Sequence, residues 1–161
     1  MKKIFSIITL LLGGLFMLSG CSNSNVEGSL EDIMEELNAY VYEGVANDQK
    51  PMLGNINVLK DAADNIEYYI GTQDIEYEEI LASEPMLGSI AYSVVLVRMK
   101  DNADIESAKQ AILDNVNPRK WVCVEVAKED VIVKNRGNLI ILIMVKDSEI
   151  REKIEKGFDE L

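Results

Sequence analysis

The chain has 161 residues, enough for one domain, and carries 16 Lys and Arg against 28 Asp and Glu, a net charge of −12, with no histidine. The missing histidine excludes Ser-His, Cys-His and His-metal chemistry, and the acidic balance argues against nucleic acid as a partner.

Lys2 and Lys3 open a run over residues 4–18 whose only polar members are Ser6 and Thr9. As a helix those fifteen residues rise about 22 Å, short of the roughly 30 Å hydrocarbon core, so an export signal fits better than a permanent span. The residues that follow are Leu18-Ser19-Gly20-Cys21. They resemble the bacterial lipobox, in which signal peptidase II cuts between the positions held here by Gly20 and Cys21 and the cysteine thiol carries diacylglycerol. The resemblance implies a signal peptide over residues 1–20, a lipidated Cys21 and a palmitate-type anchor on the outer face of the cell membrane. The competing reading is a small apolar cysteine at the end of a transmembrane helix.

Loss of residues 1–20 leaves 14 basic against 28 acidic residues, a net charge of −14. Such a domain is repelled by anionic lipid and acidic wall polymer, which favours a module held off the surface by its tether. Residues 22–28 (SNSNVEG) have linker composition and reach at most about 25 Å, leaving residues 29–161 for a single folded domain. The Lys, Ile, Asn and Glu bias suggests a low-GC Gram-positive host.

In the folded part, Ser29 reads as an N-cap and Leu30, Ile33, Met34, Leu37 and Val41 recur at helical spacing, predicting a helix to residue 43. Residues 44–60, with Gly, Asn, Asp and Pro51, read as a loop. A second helix is expected over 61–70, closed by Gly71. Residues 75–82 and 90–99 read as strands around a turn containing Pro85 and Gly88, the second an interior strand. Asp101 or Asn102 should cap a helix to residue 116, closed by Pro118. Residues 121–126 alternate as a half-buried strand that would place Cys123 in the sheet core. A short strand at 131–133 then leads through Asn135-Arg136-Gly137-Asn138 into the apolar strand 139–145, and Ser148 opens a last helix. The sum is an α+β domain with a mostly antiparallel sheet of about five strands and about four helices, following the cleaved signal helix.

Pro51-Met52-Leu53-Gly54 returns as Pro85-Met86-Leu87-Gly88, but the flanking residues differ, so two similar turns or chance explain it better than a structural repeat. Tyr69-Ile70-Gly71, the 90–99 strand, the 104–116 helix and Arg136-Gly137-Asn138 before an apolar strand together resemble an uncharacterised domain-of-unknown-function family of small Gram-positive lipoproteins. That resemblance implies a lipoprotein address and no activity, and the single functional residue it carries over is Cys21.

The remaining chemical candidates are sparse. Asp74, Glu76 and Glu78 would share one face of a strand and could attract a hard cation, but a solvated edge face explains them as well, and calcium loops need glycine-turned oxygens missing here. No cofactor motif is present. Arg119-Lys120-Trp121 is the one basic-aromatic cluster, suited to an acidic partner or simply to the approach to a strand. The leading expectation is therefore a non-catalytic binding or accessory module of the cell envelope, joined to the membrane through Cys21, with a membrane protein or another lipoprotein as partner. The alternative is a histidine-free hydrolase that uses a carboxylate pair on cell-wall glycans.

Overall fold

The computed structural model describes residues 25–46, 50 and 52–161. Gly20, Cys21 and the expected signal segment over residues 1–20 lie outside the described residues.

Helix α1 (Leu30–Tyr42) starts where expected: the Ser29 hydroxyl accepts from the Asp32 N–H at 3.1 Å. Strand β1 (Leu53–Asn57) follows, then α2 (Val58–Asp61), a single 3-10 turn and α3 (Ile66–Ile70). Next come β2 (Tyr77–Pro85), β3 (Tyr92–Met99), α4 (Ile105–Asn115), β4 (Ile132–Arg136), β5 (Leu139–Val145) and α5 (Ser148–Glu160). The five strands form one fully antiparallel sheet in the order β1-β2-β3-β5-β4. Because β5 lies between β3 and β4, those two run in the same direction without pairing, and α4 carries the chain from the end of β3 back to the start of β4.

The α+β reading holds. Every residue of β5 is buried, as its unbroken apolar run demands of a strand covered on both faces. Leu81, Val94, Leu96, Ile141 and Ile143 pack against α1 and α5, whereas Ile80, Val95, Val97, Ile140 and Leu142 pack against α3 and α4. Alternate side chains of one strand thus serve two cores, one on each side of the sheet. Gly157 of α5 lets α1 come close: a Cβ there would lie 2.9 Å from the Tyr40 ring.

Four local expectations are corrected. The supposed loop 44–60 contains β1 and α2; Gly54, Asn55 and Asn57 are poor strand formers, and β1 exists because β2 supplies its hydrogen-bond ladder, with Leu53 opposite Pro85 and Asn57 opposite Leu81. The single helix 61–70 is broken into α2, a 3-10 turn and α3, although Gly71 ends it as expected with φ +79°. Helix caps shift to Asp104, whose carboxylate accepts from Ser107 N–H, and Asp147, whose carboxylate accepts from Ile150 N–H, both at 3.0 Å. Residues 121–126 form no strand. Cys123 has φ +61° and is exposed rather than in the sheet core, because that left-handed residue breaks the alternation and turns Val122 and Cys123 outward while Trp121 and Val126 stay buried.

The molecule has two distinct ends. At one, the base, the Arg98 guanidinium donates to the carbonyls of Val26 at 2.9 Å and Gly28 at 2.7 Å, and Asn138 N–H donates to the Asn25 side chain. The opposite end, the apex, holds the β2–β3 turn, the start of β1 and the segment around residue 122. Between them β3 spans eight residues, about 26 Å.

Candidate functional site

Among the described residues the most unusual charge is Lys120. Its side chain is only 2% exposed, a rare state for lysine unless it is paired. The pair is Glu84 at the end of β2, itself 11% exposed, whose carboxylate accepts from the Lys120 ammonium. Ser93 on β3 completes the cluster: its hydroxyl accepts from Lys120 at 3.1 Å and donates to Glu84 at 2.7 Å. Three aromatic rings wall the ammonium, with Nζ 4.4 Å from the centroid of Tyr68, 5.3 Å from Tyr69 and 5.5 Å from Trp121. Those distances are in the range of cation–π attraction.

Local structure explains the assembly. The fully buried Ser93 faces the α3 and α4 side of the sheet, and Gly71 allows α3 to end against α4 so that Tyr68 and Tyr69 reach the same side. Pro118 O accepts from Val126 N–H at 3.0 Å, closing the loop that carries Lys120 over the sheet. Burial pushes the Lys120 pKa down, and Glu84 partly offsets that. Burial, followed by the Glu84 charge, pushes the Tyr68 and Tyr69 phenols up.

A lysine within hydrogen-bond reach of a serine is the arrangement of a Ser-Lys nucleophile. Here Glu84 changes what it can do. The serine proton already points at the carboxylate, the lysine amine is paired with the same group, and Ser93 has no exposed surface for a carbonyl substrate to approach. The cluster acts as an internal tie between β2, β3 and the 117–126 segment.

The sequence read Arg119-Lys120-Trp121 as the approach to a strand or as a site for an acidic partner; no strand follows directly, and the acidic group that Lys120 meets is Glu84 inside the molecule. Arg119 instead pairs with the exposed Glu125. Glu84 and Ser93 were not found from the sequence, since neither has a local signature and they lie 36 and 27 residues from Lys120. Asp74, Glu76 and Glu78 are all exposed, and β2 starts only at Tyr77, so they do not share a strand face. Among the described residues no group of three His, Cys, Asp or Glu side chains is placed to hold a metal ion. Among them, too, no helix is long and apolar enough to cross a membrane.

A second feature lies beside the buried pair, on the surface of the apex. Six large apolar side chains are exposed among the described residues: Met52, Tyr68, Met86, Leu87, Ile90 and Val122. All six gather at this end. Met86 N–H donates to Met52 O at 3.2 Å, Val122 N–H donates to Gly88 O at 2.9 Å, and Tyr68 covers Lys120. Met52-Leu53-Gly54, entering β1, therefore adjoins Glu84-Pro85-Met86, leaving β2. Next to them opens a cleft of about 710 Å³ lined by Ile90, Tyr92, Val124, Val145 and Ile150, with Lys146 and Asp147 also in its lining.

Compared with protein-family models, with curated proteins and with solved structures, the chain matches none.

Proposed function

We propose that the protein is a membrane-anchored extracytoplasmic lipoprotein whose folded part is a non-catalytic binding or accessory module of the cell envelope. The observation that carries this reading is the Arg98 clamp. It fixes the chain at Val26 and Gly28, so the folded domain begins within a few residues of Cys21 in a sequence whose preceding residues read as a lipobox after an export signal. Two acyl chains on Cys21 would give stable anchoring, at roughly 0.8 kcal/mol per buried methylene.

The interior supports the non-catalytic half. A general acid and base need unspent protonation chemistry within reach of a substrate. In this domain the buried lysine, glutamate and serine satisfy one another, and the acidic residues on the 74–78 segment are solvated. The membrane is thus the first partner, through Cys21, and a protein the second.

The test is direct. Mature protein purified in detergent and incubated with peptidoglycan and chromogenic glycosides releases nothing above buffer. Reproducible turnover that disappears when one acidic residue is changed to its amide, with the fold intact, overturns this reading in favour of a carboxylate-pair hydrolase.

A further inference from the structure

We propose that the apex is the docking surface of this module, and that its occupant is a folded extracytoplasmic domain of another membrane-associated protein; this rests on the anchored reading of Cys21.

Isolated exposed apolar residues are ordinary on protein surfaces, but their collection at one place is not. Here Met52, Met86, Leu87 and Val122 are 73%, 74%, 65% and 68% exposed, and backbone hydrogen bonds hold their segments side by side. Methionine is unbranched and polarisable, so a surface with two of them adapts to an apolar partner at small conformational cost. The neighbouring cleft, with Ile90, Tyr92 and Val145 in its wall, is large enough to take a protruding apolar side chain of that partner. The platform is also stiff beneath: the Glu84–Lys120–Ser93 tie fastens the turn after β2 to the 117–126 segment, so the surface is arranged before contact and loses little entropy on binding.

Position selects the occupant. The chain leaves the domain at Asn25, at the base, and three residues separate that point from Cys21, four Cα steps with a reach of at most about 14 Å. The apex is about 26 Å further along the sheet. A net charge of −14 on the mature chain opposes tipping onto an anionic bilayer. The apolar end therefore stands away from the lipid, where polar, acidic wall polymer is a poor match for an apolar surface on a domain of net charge −14, and the apolar face of a folded extracytoplasmic domain is a good one. A second copy is a poor occupant: upright copies on one membrane point their apices the same way, and each repels the other by charge.

Photo-crosslinking side chains placed singly at Met86, at Val122 and, as a control, at Glu152 on the exposed face of α5 test this in cells making the full chain. The expected result is that Met86 and Val122 both label one and the same membrane-associated protein with an extracytoplasmic domain, and that Glu152 does not. Combining Met86→Asp with Leu87→Asp should lower the yield from Val122 at least tenfold, with the thermal melt unchanged. Adducts with a second copy, adducts with phospholipid, equal labelling from Glu152, or a yield indifferent to the two aspartates each overturn the proposal. Acyl labelling of the same cells separates the two ideas. Apex crosslinks without an acyl label remove the anchor and leave the surface, whereas a label without apex crosslinks removes the surface alone.

Discussion

Lys120 illustrates how a charge can be interior and still lack chemistry. Its ammonium is buried against Glu84, Ser93 and three rings, so removing it leaves an uncompensated carboxylate in a nearly dry place. Lys120→Met is expected to destabilise the fold by about 3–5 kcal/mol in denaturant melts, and combining it with Glu84→Leu should recover most of that loss. The pH dependence has a definite sign. Because the folded-state pKa of Lys120 lies below 10.5, the unfolded chain binds more protons between the two values. The lysine's contribution is thus fully present above 10.5 and is lost as pH falls through its folded value. Tyr68 and Tyr69, raised above 10.0, act in the opposite direction at pH beyond 10 in both proteins. The stability difference between wild type and Lys120→Met should therefore grow as pH rises toward 10.5, and a difference that shrinks over that window contradicts the burial argument. The sequence made Lys120 conspicuous beside Trp121, but its glutamate lies on another element and the pairing is a product of the fold. Cys123 went wrong for a related reason: alternation alone placed it in a strand, and a single residue with positive φ reversed its facing.

At the scale of elements, the most legible were those with a strong internal pattern. The apolar run of β5 and the helical stripe of α1 announce themselves because burial on both faces, or along one stripe, fixes the residue types. Strand β1 was hidden because its stability comes from β2 rather than from its own Gly, Asn and Ile. Gly71 marks where pattern and packing coincide. It caps α3 with φ +79°, and a Cβ at that position would fall 2.3 Å from Val116 N and 2.4 Å from Asn115 C at the end of α4. Backbone atoms cannot yield as a flexible side chain does. Gly71→Ala should accordingly cost about 3 kcal/mol or more, from left-handed strain plus forced separation of α3 from α4. An alanine variant that melts with the wild type would show that the α3–α4 junction relaxes freely.

For the whole molecule, the arrangement is of two ends with unlike surfaces joined by a sheet covered on both faces. The base fixes the chain through Arg98 and Asn138, and the apex collects the exposed apolar side chains. The sequence carried the α+β class, since that is written in periodicity. It did not carry the apex, because Met52 and Met86 become neighbours only when β1 pairs with β2. The function proposed for the molecule depends above all on its being held at the membrane through Cys21, and that is decided by one measurement: intact and peptide mass spectrometry of the protein extracted from the membrane fraction of its host. The expected result is a chain that begins at Cys21, carries diacylglycerol on the cysteine sulfur and lacks residues 1–20. A chain beginning elsewhere, or an unmodified Cys21 thiol in the membrane-extracted protein, would contradict it.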